Sequence, residues 1–150
     1  MKTPSLKLAA LCAAAVLTSL AAHAADGWTD SYAKAVAQAK AENKLVLADF
    51  TGSDWCGWCI KLDEEVFSKA AFKDYAAKNL VLLELDFPNK KKLDEAVAKQ
   101  NNELKAKHEI RGFPTLVVFD GDGKELAKWV GFQKGGPEAL TAKIDALKKK

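Results

Sequence analysis

Residues 45–66 read LVLADFTGSDWCGWCIKLDEEV, and the reading of that stretch decides the fold. Residues 45–50, Leu-Val-Leu-Ala-Asp-Phe, are a short apolar, partly β-branched run of the kind that forms a buried strand. Gly52, Ser53 and Asp54 break it. After Trp55 come Cys56, Gly57, Trp58 and Cys59, and over residues 60–67 helical spacing returns, with Ile60, Val66 and Phe67 apolar and Lys61, Asp63, Glu64 and Glu65 solvated. The pattern predicts strand, loop and helix in that order, with Cys56 at the helix N-terminus.

That setting has chemical consequences. Unpaired N–H groups and the positive end of a helix dipole favour a thiolate over a thiol, which marks Cys56 as the nucleophile. Cys59, one turn further in, is placed to attack a mixed disulfide on Cys56 and release its partner. A Cys-x-x-Cys beside a strand and a helix reads as a redox motif. Two other readings stand beside it. A structural staple across so short a loop would restrict the unfolded chain by only roughly 2 kcal/mol, against about 3 kcal/mol for a fifteen-residue loop. A metal site needs three or four ligands. Beyond the N-terminal segment the chain offers two cysteines and one histidine, so carboxylates would have to complete the shell.

Working outward to the N-terminus, Lys2 and Lys7 precede an apolar run over about residues 8–22, closed by Ala22-His23-Ala24. This pattern predicts a secretory signal peptide, residues 1–24, cleaved before Ala25, with one domain over 25–150. The run is shorter than the roughly 20 residues that span a bilayer, and no later segment is apolar enough to do so. Cys12 lies inside the run. Leu11 before it is too large for a lipid-attachment site, so Cys12 is expected to leave with the leader. Two cysteines then remain in a compartment where disulfides form, periplasmic or extracellular. Cleavage removes two of the 23 basic residues and none of the 20 acidic ones, leaving a net charge of about +1. Neither nucleic acid nor an anionic membrane is implied as a partner.

Downstream and upstream of the motif the periodicity alternates. A helix is expected over 29–44, with Tyr32, Ala35, Val36 and Ala39 on one face, Thr29 or Asp30 as cap and Asn43 as its end. Ser68 is expected to cap a short helix carrying Phe72, Tyr75 and Ala76. Residues 80–87 read as a second buried strand, and Pro88-Asn89 as the start of a helix running to about Lys107, with Leu93, Val97 and Leu104 on its apolar face. His108 is expected to be an exposed cap on the last carbonyls. Residues 115–120 read as a third strand, 120–123 as a turn and 125–130 as its antiparallel return, before a final helix with Leu140, Ile144 and Leu147 inward. Together these elements predict an α/β fold, a central mixed sheet with helices on both faces. In such a sheet the loop after a strand's C-terminal end gathers the site, which is where Cys56 falls. Trp55 and Trp58 flank it, and at least one is expected to be exposed enough to meet a protein substrate.

Over essentially the whole predicted mature chain the sequence resembles the thioredoxin superfamily. The resemblance rests on VLADF, WCGWC, LLELD, HEIRGFPTLVVFDGDGKEL and WVGF, and the EVFS segment is similar to bacterial periplasmic reductases of the DsbD type. It implies a thioredoxin-like fold and a protein thiol-disulfide oxidoreductase without a dissociable cofactor or metal. Its partners would be protein thiols and disulfides, with an upstream electron donor such as a membrane thiol-disulfide transporter. Position by position, Cys56 matches the attacking cysteine, Cys59 the resolving one, and Pro114 the cis-proline facing them. Phe113 would lend backbone groups to an extended substrate, and Asp49 matches the buried acid that exchanges a proton with the resolving thiol. Three departures stand out: one residue more between Asp49 and Cys56 than in thioredoxin, Leu82 where thioredoxin has the lysine that partners the acid, and Gly57-Trp58 between the cysteines. Residues 87–109 are also longer than their thioredoxin counterpart. From another class, a non-catalytic binding module, a chaperone or metal carrier, would keep the same fold.

Overall fold

The structure of the chain, a computed structural model, describes residues 27–148. The expected leader, with Cys12, lies outside them. Five strands form one sheet in the order β1-β3-β2-β4-β5: β1 is Trp28–Thr29, β2 Leu45–Thr51, β3 Leu80–Asp86, β4 Thr115–Phe119 and β5 Glu125–Val130. β3 runs parallel to β1 and β2, whereas β4 is antiparallel to both β2 and β5. The sheet is therefore mixed, as the alternating pattern implies. The helices are α1 (Tyr32–Glu42), α2 (Gly57–Leu62), α3 (Ala70–Asn79), α4 (Glu95–Lys107) and α5 (Gly136–Lys148).

Because side chains alternate along a strand, the sheet separates two apolar cores. Val46, Ala48, Phe50, Leu83, Leu85, Val117 and Phe119 face α1 and α4, where they meet Ala35, Ala39 and Leu104. Leu47, Leu82, Leu116 and Val118 face the other way, onto Leu62, Val66, Phe72, Leu140 and Ile144 of the remaining helices. Asp49 shares the parity of Leu47 and so points toward the CxxC helix.

Several local expectations need correction. α1 starts at Tyr32, capped by Ser31 rather than by Thr29 or Asp30: Ser31 accepts from the Lys34 N–H, while Trp28–Thr29 is recruited as an edge strand by β3. Asn43 does end the helix, at φ 52°, a left-handed conformation that Asn tolerates. Ser68 does not cap α3; it closes the preceding turn, its N–H and hydroxyl both bonding to Asp63, and α3 begins after Lys69 without a side-chain cap. Pro88-Asn89 does not open α4, because residues 88–93 pass through a loop and Asp94 caps the helix on the Ala96 N–H. Ile60 is exposed, and the apolar face of the CxxC helix is instead Cys59, Leu62, Val66 and Phe67. After Leu62 the helix widens into a π-turn over Asp63–Phe67, which lets the consecutive Val66 and Phe67 both turn inward. His108 is buried rather than exposed: its Nδ1 lies 2.7 Å from Glu125 Oε2 on β5 and its ring packs edge-on against Phe119.

Candidate active site

β2 delivers the chain to the sheet's edge at Thr51, and the turn that follows is tied to β3. Ser53 donates from its N–H and its hydroxyl to the two carboxylate oxygens of Asp86, at 2.9 and 2.6 Å. The Gly52 carbonyl accepts from the N–H groups of Trp55 and Cys56. Gly52 itself is needed for space: a Cβ there would sit 2.5 Å from the Trp55 ring. This turn sets Cys56 as the N-cap of α2, with its Sγ 3.2 Å from the Cys59 N–H and its carbonyl bonded to the N–H groups of Cys59 and Ile60. Cys56 and Cys59 are joined as a disulfide, their Cα atoms 5.2 Å apart.

Both sulfur residues are largely covered, Cys56 with 7% and Cys59 with 3% of its surface exposed. Their surroundings distinguish them more than their burial does. Cys59 lines a cavity of about 230 Å³ with Asp49, Glu84, Asp63 and Trp28. Asp49 stands in register with Glu84 on the neighbouring strand, so the side group beside the acid is a second carboxyl; Leu82, the position matched to thioredoxin's lysine, pairs with Leu47 instead. Burial is the main force raising the Asp49 carboxyl well above its ordinary pKa, with the charges of Glu84, Asp63 and Asp86 adding to it. Its Oδ1 is buried without a hydrogen-bond partner. Glu84 is raised too, again first by burial, with Asp86 raising it further and Lys91 opposing.

Pro114 follows a cis peptide bond from Phe113 and precedes Thr115, which pairs with Phe50. It thus lies at the end of the sheet where β2 leads into the cysteines. Both tryptophans are exposed, Trp55 by 45% and Trp58 by 59%. The Trp55 Nε1–H donates to the Phe87 carbonyl at 2.8 Å and its ring meets Phe113 edge-on at 5.9 Å. The Trp58 ring lies tilted against Phe132, 5.7 Å between centroids, with the Lys61 ammonium over both rings. Asp54 is bound to the loop after β3: its carboxylate accepts from the Asn89 and Lys90 N–H groups at 2.9 and 2.7 Å, and the Asn89 bond is the main reason its carboxyl lies below the ordinary range.

The structure brings together Cys56 with Cys59, Cys59 with Asp49, and Trp55 with Phe113. Glu84, Asp63 and Phe132 escape a reading of the sequence. Glu84 leaves a trace there, since it interrupts the apolar LVLLELD as Asp49 interrupts LVLADF, but only the strand register shows that the two acids are neighbours.

A Cys-x-x-Cys at the start of a helix, on a five-stranded mixed sheet with a cis-proline at the same end, defines a thiol-disulfide oxidoreductase. The thioredoxin-like domain family matches residues 32–148, and the chain belongs to that family. Disulfide bond reductase DsbH of Chlamydia pneumoniae is 41% identical over 120 residues, covering 80% of this chain and 72% of that protein. A solved DsbH oxidoreductase superposes with a TM-score of 0.74 at 37% identity, covering 87% of this chain and 93% of the other. Thiol:disulfide interchange protein DsbD of Actinobacillus pleuropneumoniae is 31% identical over 87 residues, 58% of this chain but only 13% of that larger protein. Among the described residues no helix is long and apolar enough to cross a membrane.

Proposed function

We propose that this protein is exported, that residues 1–24 are its cleaved leader and 25–150 its working domain, and that it reduces or isomerises protein disulfides outside the cytoplasm. The observation that carries the direction is the group of carboxyls around Cys59: Asp49, Glu84 and Asp63 share its cavity. A CxxC becomes strongly oxidising when its reduced form is stabilised by positive charge or donors around the thiolate, and among the described residues the cavity beside the pair is lined by carboxyls and by no basic side chain. In the reduced protein the Cys56 thiolate attacks a substrate disulfide, forming a mixed disulfide and expelling one substrate thiolate. Cys59 then passes its proton to Asp49 and attacks the Cys56 sulfur, expelling the second substrate thiolate and leaving the protein oxidised by two electrons. Trp55, Trp58, Phe113 and Pro114 form the shelf on which the substrate chain lies. A thiol-disulfide transporter in the membrane returns the electrons, in keeping with the likeness to DsbH and DsbD.

Reduction of a test protein disulfide by dithiothreitol should be accelerated by the protein, and Cys59→Ser should accumulate mixed disulfides that Cys56→Ser does not. Faster alkylation of Cys59 than of Cys56 in the reduced protein would overturn the assignment. Equilibration against glutathione, followed by tryptophan fluorescence, sets the direction. A midpoint more positive than about −180 mV, the range of protein disulfide isomerase, would make the protein an oxidase.

A further inference from the structure

Beside the cysteine shelf lies a second concavity, a groove of about 790 Å³ that begins at Trp55 and Phe113 and runs along α4 to Lys92 and Lys105. Its floor is aromatic: the rings of Phe87 and Phe113 are 5.1 Å apart, and the Lys105 ammonium stands 5.3 and 5.4 Å from their centroids. One wall is the loop 88–93, and it is held in place. Asp54 binds the Asn89 and Lys90 N–H groups, Lys91 pairs with Asp86 at 2.8 Å, and the Trp55 indole bonds to the Phe87 carbonyl. The Asn101 side chain ties α4 to the Asp86 carbonyl at 2.9 Å. The groove is therefore built into the fold rather than left by an unpinned loop.

Its charge is uneven. Asp86 is committed to Lys91 and Ser53. Among the described residues, neither Lys92 nor Lys105 is in an ion pair, and Glu95 is the other carboxylate on the rim. An ammonium held over two rings has satisfied only part of its surroundings, and a carboxylate brought into that groove would complete them.

We propose that this groove selects substrates, binding the extended polypeptide beside the reacting cysteine through an apolar side chain on Phe87 and Phe113 and an adjacent aspartate or glutamate at Lys105, with Lys92 extending the positive rim. The proposal rests on the thiol-disulfide exchange reading of the neighbouring cysteines and adds a preference for acidic, apolar-flanked segments.

The test uses two pairs of peptides, each peptide carrying one cysteine in mixed disulfide with 2-mercaptoethanol. Within a pair the members differ only in a Leu-Glu or a Leu-Lys dipeptide, placed before the cysteine in one pair and after it in the other. Reduction by the reduced protein should be about three- to tenfold faster for the acidic member of at least one pair at low salt, and the ratio should shrink toward one at about 0.5 M NaCl. Within Lys105→Gln the ratio should also fall toward one, and Lys105→Arg should retain it. Equal rates for both members of both pairs in the unaltered protein at low salt, or a preference surviving in Lys105→Gln, would overturn the proposal. Failure to reduce either peptide, or the neutral 2-hydroxyethyl disulfide, would instead strike at the exchange reading. In that event the same peptides with serine for cysteine report on the groove through Trp55 fluorescence, tighter binding of an acidic member supporting the proposal and equal binding in both pairs refuting it.

Discussion

Asp49 is an acid in the middle of an apolar strand, facing another acid across the register, with one oxygen unpartnered. Its folded pKa is raised above its unfolded value, so below the ordinary carboxylate range, where it is protonated in both states, it adds no pH-dependent cost. As pH rises past that range the unfolded chain ionises first, and stability falls until the folded carboxyl ionises too. Asp49→Asn should therefore flatten the decline of stability with rising pH, read from denaturant melts, and leave a smaller decline due to Glu84. The same variant should slow disulfide reduction by roughly 100-fold, the lower end of general acid–base contributions. Gly52→Ala tests a different residue-scale demand. The new methyl would overlap the Trp55 ring, so the indole must leave the Phe87 carbonyl, with a shift in tryptophan emission and a loss of about 1–3 kcal/mol. The pairing of Cys56 with Cys59 is legible in the sequence from its spacing just after an apolar strand, whereas Asp49 is singled out there by the family resemblance, an acid inside an apolar run indicating by itself only a raised pKa. Glu84 is not legible, because its role depends on which residue of β3 lies beside Asp49.

Among the elements, β2, β3, β4 and α5 are readable from apolar runs, since each buries a continuous face, and β5, which is only half-buried, from the turn residues before it. The start of α4 is not. Pro88 is a favourable first helical residue, but Asp54 captures the Asn89 and Lys90 N–H groups and holds the loop extended across the groove until Asp94 supplies a cap. Asp54→Ala should release that loop. The expected outcome is faster proteolysis within residues 88–93 and a weaker Trp55–Phe87 contact, with little loss of helix by circular dichroism. Because the Asp54 carboxyl is held below the ordinary range, the clamp should persist to lower pH than an ordinary aspartate would allow and fail only as pH falls through that lowered value. His108 misleads for a related reason: a histidine at a helix end normally looks outward, and nothing in the local pattern announces that Glu125, on β5, turns it inward.

At the scale of the molecule, one sheet divides two cores and the site straddles their boundary. The cysteine helix rests on the core of Leu47, Leu62 and Val66, while the groove helix α4 rests on that of Phe50, Leu85 and Leu104. Leu47→Ala, in the central strand, should cost about 2–5 kcal/mol and lower the melting temperature by roughly 10 °C or more. Residue patterns predict the mixed sheet, but not the recruitment of Trp28–Thr29, two residues too short to carry any period of their own. The strand order also governs timing. β2 finds β3 after one compact crossover, but its other neighbour, β4, begins only at Thr115, and closing that longer loop is entropically dearer and slower. For a chain that emerges N-terminus first, both cysteines are delivered well before Thr115 arrives. The strand that positions the redox centre therefore remains half-paired until most of the chain has emerged, and a nascent chain stopped at Asp86 should carry thiols that alkylating reagents reach freely.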